Sequence, residues 1–147
     1  MLEPFAWPTA IISGTSWDGF WRQRCSPLAE DHMEATANAM RAAYDVSTPL
    51  HVGFGAWHLP CITDAERVQL TPAQQRQVSA GRCAQVSYLT HGRADVDADL
   101  ARFAKLAESD PPHWSPMEHQ ATPLQPWLVR RGNFAGWEQY RHLLGGA

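Results

Sequence analysis

The segment His113 to His119, HWSPMEH, places two imidazoles, a hydroxyl and a carboxylate within seven residues. It follows Asp110-Pro111-Pro112, a break that ends a helix and exposes what comes next. One reading is purely structural: Ser115 as helix cap, Pro116 as first helical residue and Glu118 as the third-position partner of a capping box. A second uses His113, Glu118 and His119 as metal ligands. The spacing is not the HExxH of a zinc hydrolase helix, and no nearby cysteine supplies a fourth ligand.

Other reactive side chains carry weaker signals. Cys25, Cys61 and Cys83 have no CxxC spacing, and an odd number cannot all pair within one chain, which predicts a reducing, cytoplasmic setting. No base stands beside any of them in sequence to activate a thiol nucleophile. Trp17, Trp21, Trp57 and Trp137 read as core residues rather than ligand stackers. His51, His58, His91 and His142 lack a patterned partner. Arg130-Arg131 before Gly132-Asn133 could clamp a phosphate or form a solvated loop pair.

Positioning these groups requires a packed domain. With 147 residues, 44% of them apolar and seven of them tryptophan, the chain predicts one domain, 1–147, with a sizeable core. Twelve basic against fifteen acidic side chains leave a formal charge of -3, without the basic block that binding a nucleic-acid polymer needs. Small phosphorylated ligands need only a few arginines. The start, MLEPFAWPTAIISG, matches neither a secretion signal nor a membrane span, so no membrane partner is expected.

The elements follow from periodicity and stop signals. Trp17, Phe20, Trp21 and Arg24 share one helical face, predicting a helix over 16–24, and Met33, Ala37, Met40 and Tyr44 predict a second over 28–44. Residues 45–70 read as irregular or extended chain tied down by aromatics. Thr71-Pro72-Ala73-Gln74 is a helix start, and the helix runs from 72 to about 89 with Gly81 as its weak point. Further helices are expected over 95–108 and 136–144. The fold class is α+β, mostly helical with a small sheet.

Three segments together resemble one family. HWSPMEH is similar to the H-x-[ST]-P-F-E-H segment of flavin-dependent thymidylate synthases, with Met117 in place of phenylalanine. Upstream, RCAQVSYLTH resembles that family's AARVSY segment, with Gln85 where arginine is usual. SGTSWDGFWRQRCSPLAEDHM resembles the region written NxRSxxNFxxLRxxxxAQxEI, with Thr15, Gly19 and His32 at positions where arginine, asparagine and glutamate are expected. That region here precedes the other two. The order resembles the permuted form in phages and actinobacteria, as do LEPFAW, GAWHLP and GNFAGWEQYR. The family's arginine-histidine-arginine stretch has no counterpart, so the resemblance implies a partial domain lacking its amino-terminal half.

The resemblance implies reductive methylation of dUMP to dTMP, with methylenetetrahydrofolate giving the carbon, reduced FAD the hydride and NADPH re-reducing the flavin. It gives Arg24 the uracil ring, a task suited to a permanently charged planar fork. It gives His113, Ser115 and Glu118 the flavin or folate side, with Ser87 and Ser13 as further flavin contacts. It also implies a tetramer with flavins between subunits, or a hetero-oligomer with a chain carrying the missing stretch. Alternatives are a related flavin- and folate-dependent modification such as hydroxymethylation of a pyrimidine deoxynucleotide, and a non-catalytic remnant or structural partner subunit.

Overall fold

The computed structural model describes residues 12–14, 17–48, 51–86, 94–125, 130–131 and 134–145. The fold is α+β, with helices and, among the described residues, two small antiparallel sheets. Its contacts divide the chain into two compact units, Gly14–Val52 on the one hand and Met1–Ser13 with Gly53–Ala147 on the other.

The smaller unit is a pair of helices, α1 (Trp17–Arg24) and α2 (Asp31–Asp45). Their apolar stripes meet through aromatic rings. Trp17 stacks on Trp21 with centroids 5.1 Å apart, Phe20 sets its edge against both, and Tyr44 of α2 approaches within 6.2 and 5.9 Å of the two indoles. Trp21 and Ala37 are the buried pair at the centre. The second helix starts later than its periodicity predicts. Glu30 is the cap, its carboxylate accepting the Met33 amide at 3.0 Å, while Ser26 to Ala29 close a turn that leaves Leu28 exposed.

In the larger unit, α3 (Asp64–Gln69), α4 (Pro72–Val86) and α5 (Val96–Ala107) precede a 3₁₀ turn, Ser115–Glu118. Four short strands follow, β1 (Ala121–Pro123), β2 (Arg130–Arg131), β3 (Phe134–Ala135) and β4 (Trp137–Gln139), then α6 (Tyr140–Leu143). β1 pairs with β4 so that Ala121 faces Gln139 and Pro123 faces Trp137, and β2 pairs with β3. His58 adds a bridge to Ala121, its amide donating to the Ala121 carbonyl at 2.7 Å.

Two further expectations need correction. Residues 45–70 are not wholly irregular, because Thr63 and Glu66 form a reciprocal capping box that starts α3. The final helix does not span 136–144, since Trp137–Gln139 pairs with β1 and only Tyr140–Leu143 is helical. A cross-strand partner overrides local helical spacing there. The predicted start of α4 holds: the Thr71 hydroxyl accepts the Gln74 amide at 3.3 Å, and the Gln74 side chain accepts the Thr71 amide at 3.0 Å.

Gly81 is a contact rather than a flaw in α4. A Cβ there would lie 2.3 Å from the carbonyl oxygen of Asp99, so the missing side chain lets α4 and α5 touch backbone to backbone. Beside this crossing the core gathers Ala80, Phe103, Met117 and Tyr140, with Trp57, Leu106 and Trp114 packed against it. Phe103 and Tyr140 stack at 5.9 Å, and the Arg76 guanidinium lies 5.0 Å from the Trp57 ring centroid and 5.5 Å from that of Tyr140.

Candidate functional site

The HWSPMEH segment folds around one buried residue. Met117 is fully buried in the core and its amide donates to the Trp114 carbonyl at 2.9 Å, while His113 and Ser115 stay exposed. The His113 amide donates to the Leu106 carbonyl at the end of α5, fixing where the turn begins. The capping-box reading fails on geometry: the cap position is Trp114, which makes no side-chain cap bond. Ser115 and Pro116 belong to the 3₁₀ turn itself.

Glu118 and His119 point to different partners. The Arg141 guanidinium donates to the Glu118 carboxylate at 2.6 Å, and the Gln139 amide donates to the Glu118 carbonyl at 2.9 Å. α6 and β4 therefore hold the end of the turn. His119 meets Ser13, whose hydroxyl lies 2.9 Å from Nδ1. Burial pushes the His119 imidazole below the usual histidine range; the nearby Glu118 charge opposes this and His58 adds to it. His58 is lowered likewise, by burial and by Arg67.

Of the residues implied by the resemblance, the structure thus gathers Ser13, His113, Ser115 and Glu118 around or beside one turn. Arg24 is the exposed last residue of α1 in the smaller unit, where a cation suits the helix's carboxyl end. Ser87 lies outside the described residues. Among the described residues, no three side chains of histidine, cysteine, aspartate or glutamate converge as metal ligands, and no helix is long and apolar enough to cross a membrane.

Two polar clusters were not foreseen. In the first, Arg82 on α4 donates through Nε to Asp99 at 2.8 Å, through one terminal nitrogen to the Cys61 carbonyl at 2.6 Å, and to both carboxylate oxygens of Glu66. Gln85 and Arg102 complete the shell of the buried Asp99. The guanidinium holds the Glu66 carboxyl far below its usual range, at about 2, despite the opposing effect of burial. This cluster reads as architecture: it ties α3, α4, α5 and the chain at Cys61 to one cation.

In the second, the exposed Cys61 and the buried Cys83 belong to one cluster around Ser79. Ser79 donates to the Pro60 carbonyl at 2.7 Å, and the buried Gln120 donates to Ser79 at 3.1 Å and to Cys83 Sγ at 3.5 Å. Cys61 has φ of 63°, the left-handed region that a residue with a Cβ seldom occupies. No local motif joins positions 61 and 83, so only the fold reveals the pair.

A comparison of the chain with protein-family models, with curated proteins and with solved structures finds no match in any of the three.

Proposed function

We propose that this chain contributes to a flavin- and folate-dependent reductive methylation of dUMP, with part of the site supplied by a second chain. The observation that carries the reading is the contact between Ser13 and His119. These residues belong to two segments that separately resemble parts of the flavin-dependent thymidylate synthases, and they meet although 106 positions separate them. A chance resemblance of either segment gives no reason for the two to converge.

The residues present fit a flavin in part. His113 and Ser115 are exposed on the turn and offer a ring nitrogen and a hydroxyl, the donor and acceptor types that the polar edge of a flavin takes. Glu118 is engaged by Arg141 and would support the turn rather than the ring. When bound, reduced FAD supplies the hydride. The task left to this chain is to orient the rings and, through Arg24, to stabilise negative charge on the pyrimidine with a planar fork of donors. The test is release of tritium from C5-labelled dUMP by the full chain, alone and with any protein encoded directly upstream. Release that requires FAD and the folate supports the reading. No release in either preparation, with no flavin retained, removes it.

The engagement of Glu118 by Arg141 favours a second reading, a structural partner subunit whose motif residues serve folding. That reading predicts a stable complex with a catalytic chain whose turnover is unchanged by Ser115→Ala.

A further inference from the structure

We propose that Cys61 and Cys83 form a dithiol site for hydroperoxides, in which Cys61 is the attacking sulfur and Cys83 the resolving one. The placement rests on the fold. Pro60 and Cys61 are moored to α4 through their carbonyls, by the Ser79 hydroxyl at 2.7 Å and Arg82 at 2.6 Å, and the same helix carries Cys83. Ser79 and Cys83, one helical turn apart on α4, both bond the Gln120 amide, so the chain at Pro60 and Cys61, held by Ser79 and Arg82, lies against the face that carries Cys83. Their exposures divide the labour: Cys61 is open to solvent, and Cys83 is buried.

The surroundings suit each role. The neighbouring Cys83 thiol and the Arg82 charge hold the Cys61 thiol below its usual range against the opposing effects of burial and Asp99. The lowering favours the thiolate, the form that attacks peroxide. The neighbouring Cys61 and then burial push the Cys83 thiol up, so it stays protonated until used. The Gln120 amide, 3.5 Å from Cys83 Sγ, is placed to stabilise charge growing on that sulfur as it attacks. The left-handed backbone at Cys61 is a local strain, held in place by the Arg82 bond to its carbonyl.

The chemistry balances with peroxide as the oxidant. The Cys61 thiolate attacks one peroxide oxygen, the O–O bond breaks, and the departing hydroxide takes a proton to become water. Cys61, oxidised by two electrons, is now a sulfenic acid. Cys83 attacks that sulfur, the S–O bond breaks, and the hydroxyl leaves as a second water with the Cys83 proton. Two thiols and one peroxide give one disulfide and two waters, and the disulfide fastens the chain at Cys61 to α4.

The test treats the reduced full chain with one equivalent of hydrogen peroxide, alkylates free thiols, and maps peptides by mass without reduction. The expected product is a Cys61–Cys83 cross-link with Cys25 alkylated. Cys83→Ser should stop at a Cys61 sulfenic acid trapped by dimedone, and Cys61→Ser should leave Cys83 a thiol. Oxidation of the wild-type chain that is spread evenly over the three cysteines, or cross-links made through Cys25, would overturn the proposal whatever the variants do. The wild-type result needs no substitution in the core, so misfolding of a variant cannot mask it.

Discussion

The hydroxyl of Ser13 and Nδ1 of His119 stand 2.9 Å apart, joining the chain before the smaller unit to the end of the HWSPMEH turn. The contact gives His119 a fixed ring orientation as well as a half-buried setting. Its consequences can be measured at each partner.

His119 should titrate below the usual histidine value of about 6.5. Because its folded pKa is depressed, the unfolded chain binds the proton more readily. This group's contribution to stability is therefore complete above the unfolded pKa and declines as pH falls from there to the folded pKa. NMR titration of the imidazole checks the midpoint. Glu118→Gln removes a charge that raises it and should lower it further, whereas His58→Ala should raise it.

Glu66 should dominate a different acid transition. Its folded pKa of about 2 lies well under the unfolded carboxyl value, so its stabilisation is present above about 4.5 and is lost as pH falls toward 2. Denaturant midpoints measured across that window should fall in the wild type and fall less in Glu66→Gln. Arg82→Met, which leaves Asp99 and Glu66 without the cation they share, should cost about 3–5 kcal/mol at neutral pH.

Gly81→Ala should destabilise by roughly 1–3 kcal/mol or more, because the added carbon meets the Asp99 carbonyl and α4 must move off α5. Gly53→Ala is the control. Nothing lies within 4 Å of a Cβ there, so its thermal midpoint should stay close to that of the wild type or rise slightly.

Met117→Ala should cost about 2–5 kcal/mol through the cavity left at the centre of the turn. Met117→Leu should be milder, since volume is nearly kept. Calorimetry of the two variants separates loss of packing from loss of the turn.

How much of this was legible in the sequence depended on whether a signal was local. The α4 start was readable because Thr71, Pro72 and Gln74 declare it within four positions. The same kind of signature at Thr63 and Glu66 was present, but surrounding glycines and prolines obscured it. Trp137–Gln139 is too short a strand for alternation to show, and its partner β1 is distant in sequence. Ser13 and the HWSPMEH residues were singled out by resemblance, while their meeting was not predicted. The Arg82 cluster and the Cys61 and Cys83 pair depend on how helices cross, which spacing along one chain does not encode.

In an active assembly, Arg24→Lys should abolish most turnover while flavin is retained, since one ammonium cannot reproduce a planar pair of donors. Unchanged turnover would remove Arg24 from the reaction.

The central claim is tested most directly by titrating FAD into the full chain, alone and co-purified with any protein encoded directly upstream, and following the flavin absorbance and fluorescence. Saturable binding is expected in at least one preparation, weakened by His113→Ala and by Ser115→Ala without loss of fold. Absence of binding in both preparations, from protein whose circular dichroism shows it folded, would contradict it.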